Sequence, residues 1–153
     1  MTYVVTMNGR TSTELRGKEG RSLEEEIVQR LGVLNGTQRF SMMLWALPPG
    51  VPFDRVDLRS FPTEYIQCAG GASDRFICEV REGTAEAGTQ YVLGRVGEPA
   101  GEEVVSWNGC ESSVSTNEVL GLDEVVQLFL EYFRSGHTPS AYARRDLNLR
   151  AQA

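Results

Sequence analysis

"TEYIQCAGGASDRFICEVREGTAEAGTQYVLGRV" (residues 63–96) is the stretch whose reading decides the fold. It holds three strand-like segments, at 63–70, 75–82 and 89–96, each containing β-branched or aromatic residues. The links between them, GASD and GTAEAG, are short enough for hairpins. In the middle segment Phe76, Cys78 and Val80 alternate with Ile77, Glu79 and Arg81, the pattern of a sheet with one buried face. Strands joined by hairpins run antiparallel, so the centre of the chain is expected as an antiparallel meander.

Working outward, "TYVVTM" reads as an opening strand that turns at Asn8-Gly9, and "FSMMLWAL" (40–47) as a buried central strand. Downstream, "EEVVSW" and "CESSVS" bracket Asn108-Gly109, the strongest short hairpin signal in the chain. Two helices flank the strands. In "SLEEEIVQRLG", Ser22 is placed to cap and Glu25 stands three residues on, as in a capping box. Gly32 ends the pattern, and Leu23, Ile27, Val28 and Leu31 form the expected buried stripe. The closing helix is predicted over about 122–134. Leu122, Val125, Val126, Phe129, Leu130 and Phe133 recur on one side, Gly136 is placed as a left-handed cap, and Pro139 blocks continuation. The order predicts a single α+β domain over residues 1–153, a mostly antiparallel sheet of about six strands packed against an N-terminal and a C-terminal helix.

Cys68, Cys78 and Cys110 are an odd number without a CxxC spacing, and are expected as small core residues rather than metal ligands or a disulfide framework. No apolar run approaches the roughly 20 residues of a membrane helix. The N-terminus has neither the positive flank nor the apolar stretch of a signal peptide, so a cytoplasmic protein without membrane contact is expected. Formal charge is −6, unevenly spread. Residues 79–131 carry eleven acids against two bases, Arg81 and Arg95, whereas residues 1–78 balance at nine of each. Such a body repels nucleic acid and attracts basic partners. Arg144, Arg145 and Arg150 fall in residues 143–153, expected as a basic tail, flexible or folded back onto the acidic surface.

No catalytic constellation assembles from these residues. His137 is the single imidazole and sits in "SGHTPS", a turn past a helix end, with no GxSxG elbow to supply a nucleophile. One His and three scattered Cys argue against zinc, and "GRVGEPAG" (94–101) fits neither phosphate-loop pattern. No catalytic residue, metal or cofactor is therefore expected. The remaining candidates are those of a binding surface. Glu79, Glu82, Tyr91, Glu98, Glu102, Glu103, Trp107, Asn108 and Glu111 fall in neighbouring hairpin regions, where aromatics among acids suit capture of a basic protein.

The segments "YVLGRV", "EEVVSWNG" and "LDEVVQLFLEYFRSGHTPSAY" resemble immunity protein family one of bacterial polymorphic-toxin systems, mainly over residues 63–142. Phe129, Phe133, Gly136 and Pro139 carry the helix ending common in that family, and Tyr142 stands where a Trp often follows the Pro. The resemblance implies a small cytoplasmic α+β domain that is not an enzyme and neutralises a cognate toxin by binding it. It further implies a basic toxin, such as a nucleic-acid-targeting enzyme, occluded by an acidic surface, with the inhibitor a monomer or weak homodimer that binds no nucleic acid. The alternatives are a secretion chaperone or other protein-interaction module and, behind these, a small-ligand-binding protein or enzyme.

Overall fold

The meander forms as expected in a computed structural model that describes residues 1–97 and 101–149. Tyr65–Gly70 (β4), Phe76–Gly83 (β5) and Gly88–Gly94 (β6) pair antiparallel in sequence order, with Cys68 opposite Cys78 and Val80 opposite Tyr91. Tyr3–Met7 (β1), Thr11–Glu14 (β2), Ser41–Ala46 (β3) and Ala143–Asp146 (β9) extend them into a seven-stranded antiparallel sheet of order β2-β1-β3-β4-β5-β6-β9. Glu102–Trp107 (β7) and Cys110–Ser115 (β8) make a separate two-stranded hairpin. The fold is α+β with an antiparallel sheet, but the expectation of about six strands is too low. The additional strands are the two sheet edges: β2 (TSTE) and β9 (ARRD) lack apolar alternation, and backbone pairing to β1 and β6 recruits them. Residues 143–146 of the expected basic tail are thus an edge strand, while Arg150 and residues 151–153 lie outside the described residues.

Two helices, Leu23–Gly32 (α1) and Leu122–Ser135 (α2), cover one face of the sheet. The Ser22 hydroxyl accepts the Glu25 amide at 3.1 Å, which satisfies one of the free donors of the first turn of α1. Ile27 and Leu31 are fully buried, but Val28 is exposed: one residue past Ile27 turns it away from the sheet. On α2, Gly136 (φ 75°) donates its amide to the Tyr132 carbonyl at 2.7 Å, the left-handed cap expected there. Val125, Phe129 and Leu130 are buried, and Leu122, Val126 and Phe133 pack at the rim. Leu128 and Tyr132, outside the expected stripe, are buried as well, because α2 packs against both the sheet and α1. Arg134 grips Glu24 of α1 with bonds of 2.7 and 2.9 Å. Each fully buried apolar side chain, such as Phe129, contributes about 1.5–3 kcal/mol, which makes α2 a principal anchor.

The second face of the sheet is covered too, which explains why "FSMMLWAL" is apolar without alternation. Met42 and Leu44 face the helices, whereas Trp45 packs with Val4 and Leu47 against Phe53, Val56 and Phe61 of the following loop. The Trp45 indole donates to Thr6 Oγ1 at 3.0 Å, so its buried N–H has a partner. Further along, Ile77 and Val92 lie beneath Val105 and Val114 of the β7–β8 hairpin. The single buried face expected for residues 75–82 therefore holds only in part. Cys68 and Cys78 are buried free thiols as expected, but Cys110 is exposed, because it stands just past the hairpin turn.

Candidate partner-binding site

The β7–β8 hairpin is the element that carries most of the expected site residues. Its turn forms because Asn108 (φ 50°) and Gly109 (φ 74°) both take left-handed backbone, the requirement of a tight two-residue hairpin. The Asn108 amide donates to the Gly36 carbonyl at 2.8 Å, tying the tip to the α1–β3 connection. Arg75 binds both the Glu103 carboxylate, at 3.1 Å, and the Val104 carbonyl, at 3.0 Å. Trp107 is half-buried and stacks on Phe40 with ring centroids 5.9 Å apart. Its indole N–H donates to Ser112 Oγ at 2.9 Å. Register divides the hairpin into an inner face (Glu103, Val105, Trp107, Ser112, Val114) and an outer one. On the outer face Glu102, Val104, Ser106, Glu111 and Ser113 are all exposed.

Between the inner face and β3–β5 lies a cavity of about 260 Å³, with Asn8, Phe40, Gln67, Glu79, Trp107 and Ser112 in its wall. Glu79 Oε1 accepts the side-chain amides of Gln67, at 2.7 Å, and Gln90, at 2.8 Å. Asn8 braces the wall: its Oδ1 accepts the Phe40 and Ser41 amides at 2.8 and 3.3 Å, and its Nδ2 donates to the Gln38 carbonyl at 2.8 Å. A larger concavity of about 920 Å³ opens between the 48–52 loop, Phe61 and the C-terminal end of α2, its wall holding four prolines and three aromatics, with Glu64 among its polar groups.

The nine expected residues do not share one surface. Glu79 and Trp107 meet at the small cavity, with Asn108 in the turn next to Trp107. Glu102 and Glu111 lie on the outer face of the hairpin, and Glu103 is held by Arg75. Glu82 and Tyr91 belong to the helix-covered side of β5 and β6, where Arg144 of β9 pairs with Glu82 at 3.0 Å and lies over the Tyr91 ring, 5.4 Å from its centroid. Glu98 lies outside the described residues. Sequence reading missed Phe40, Gln67, Asn8 and Ser112: strand register brings Gln67 and Ser112 to the cavity, and the bond from the Phe40 amide to Asn8 Oδ1 brings the other two together beside β1 and β3.

Ion pairing redistributes the acidic charge. Besides Glu82 and Glu103, Glu118 is matched by Arg145 (2.8 Å) and Glu124 by Arg95 (2.7 Å). Burial pushes the Glu124 carboxyl up, but the hydrogen bonds from Arg95 and the Gly121 amide outweigh it and hold the group below its ordinary range. Among the described residues, Glu86, Glu102, Glu111, Asp123 and Glu131 are the acids of this half without an ion pair or an amide-held carboxylate. His137 is exposed, its amide bonded to Ser135 Oγ at 3.1 Å. Among the described residues no three His, Cys, Asp or Glu side chains gather as metal ligands, and no helix is long and apolar enough to cross a membrane. Neither the models of known protein families nor the curated proteins contain a match to this chain.

Proposed function

We propose that the chain is a non-catalytic immunity protein, which binds a basic toxin made in the same cytoplasm and covers the toxin's active cleft with an acidic surface. The observation that carries this reading is the outer face of the β7–β8 hairpin. There Glu102 and Glu111 stand exposed and without ion pairs on either side of Val104, itself 44% exposed. Other acids of the same half, Glu82, Glu103, Glu118 and Glu124, are each matched by an arginine. Unmatched carboxylates act at long range and raise the rate of encounter with a positive surface, while an apolar centre supplies contact once docked. Trp107, Arg75 and Asn108 already brace the hairpin on its inner side, so presenting it costs little further ordering. The α+β architecture agrees with the one implied by the resemblance of residues 63–142.

The test is co-expression with the product of the neighbouring gene, followed by pull-down and assay of that product's activity. The reading expects protection of the cells and a complex in which the toxin is inactive. Loss of protection in Glu102→Lys/Glu111→Lys is also expected. A complex in which the partner stays active favours a chaperone or scaffold instead, and absence of any complex contradicts the proposal.

A further inference from the structure

We propose that the cavity beneath the β7–β8 hairpin is a receptor for one arginine side chain of the protein partner. The inference rests on the reading of a basic partner and names the group this chain would hold. Four observations converge on a planar cation.

The first is an organised carboxylate to which no cation among the described residues is bonded. Glu79 makes no ion pair among the described residues, and its Oε1 already accepts two amide donors, from Gln67 and Gln90. The Tyr65 hydroxyl donates to Gln90 Oε1 at 3.0 Å, which turns the Gln90 amide nitrogen toward Glu79. No described residue donates to Oε2. The second concerns the cations of the same sheet face, Arg81 and Arg145. Both spend their hydrogen bonds elsewhere: Arg81 donates to the Thr63 carbonyl and, at 2.9 Å, to that of Thr84, while Arg145, which feels the Glu79 charge from across Val92, donates to Glu118 at 2.8 and 3.0 Å. Neither of them bonds Glu79, so its carboxylate can still take a charged donor from outside.

The third observation is the aromatic wall. Trp107 and Phe40 stack within 29° of parallel, and the bond to Ser112 fixes the indole. A guanidinium gains from lying against such a π face while its N–H groups fork onto a carboxylate; an ammonium is more strongly hydrated and lacks the fork. The fourth is size. The 260 Å³ cavity falls below the roughly 300–1,000 Å³ of sites that take cofactor-sized molecules. A void of that size suits one side chain rather than a peptide segment. A desolvated pocket that receives an arginine from a charged surface is a common form of interface hot spot.

The probe is N-acetyl-arginine methylamide, titrated into the isotope-labelled full chain while the Trp107 indole resonance is followed by NMR. Trp45, fully buried, serves as the internal reference for an intact fold. The expected result is a saturable shift of Trp107 with Trp45 unmoved, and binding at least about 10-fold weaker for the neutral isostere N-acetyl-citrulline methylamide. Glu79→Gln is expected to abolish the arginine preference. Should that variant lose the Trp45 reference, Trp107→Leu replaces it, with the probe response then read from the Gln67 side-chain amide and expected to weaken. No saturable shift overturns the proposal, as do equal responses to arginine and citrulline, a lysine analogue that binds more tightly, or full arginine binding by Glu79→Gln or Trp107→Leu. The titration uses no partner. A partner that binds while the probe does not removes the pocket and leaves the immunity reading standing; a probe that binds where no partner does has the reverse meaning.

Discussion

Replacing Arg145 by glutamine removes one of the two side-chain anchors of β9 and strands a buried acid. The Glu118 side chain is 4% exposed, and Arg145 meets it with two bonds, at 2.8 and 3.0 Å. Among the described residues the other donor to Glu118 is the Ser115 amide at 2.9 Å, so in the variant the carboxylate keeps a neutral partner and loses its charged one. Breaking a fully buried pair from one side costs about 3–5 kcal/mol. Arg145 is 48% exposed, so water already screens part of the interaction, and a discount by about half gives roughly 1.5–2.5 kcal/mol. At about 2–4 °C per kcal/mol for a domain of this size, the melting temperature falls by about 3–10 °C. Urea unfolding followed by circular dichroism measures the loss directly. Glu118→Gln in the same chain relieves the stranded charge, so the double variant is more stable than the two single losses added together, by about 1 kcal/mol. As a control, Arg16→Gln breaks an ion pair whose arginine is 80% exposed and leaves stability within about 0.5 kcal/mol. An Arg145→Gln variant within that same margin, or losses that simply add, would refute the assignment of residues 143–146 as a strand held by its arginines.

Two further outcomes follow from burial and charge. Cys110 is exposed, whereas burial pushes the Cys68 thiol up to about 12 and that of Cys78 well above its ordinary value, so a thiol-specific chromogenic reagent titrates one group rapidly in native protein and three in denaturant; two or three rapid groups would contradict the buried Cys68–Cys78 pair. The Arg134 bond lowers Glu24, the Arg21 bond lowers Glu26, and Glu124 is lowered as described, so these groups bind protons more readily unfolded than folded. Their contribution is complete above the ordinary glutamate value of about 4.3 and is lost as pH falls through the depressed folded values; unfolding free energy that holds constant or rises from pH 5 down to about 3 would count against it.

Much of this architecture is legible in local signals because the physics behind them is local. Ser22 with Glu25, Gly136 with Pro139, and Asn108 with Gly109 each satisfy backbone groups within a few residues, and the structure uses each as read. The two edge strands were not legible, since TSTE and ARRD join the sheet through partners across the ladder rather than through their own pattern. Val28 shows a similar limit: an apolar residue beside Ile27 matches a helical stripe in the sequence yet turns to solvent. The site was harder. A surplus of acids along residues 79–131 does not make one acidic face, because Arg75, Arg95, Arg144 and Arg145 pair with acids 27 to 62 residues away in the chain and cancel the charge locally. What survives is a pair of unmatched carboxylates on the outer hairpin face and one organised carboxylate in a cavity whose other walls come from β3, β4, the β7–β8 hairpin and the residues Asn8 and Phe40 beside β1 and β3.

The most direct measurement of the central claim is the association rate of this chain with the product of the neighbouring gene, for wild type and for Glu102→Lys/Glu111→Lys. Association is expected to be about 10- to 100-fold slower for the variant at low salt, with dissociation changed less. The gap should narrow as salt shortens the screening length to about 8 Å near physiological ionic strength. Equal rates for the two proteins at low salt, with binding intact, would contradict the proposal that this hairpin face meets a basic toxin.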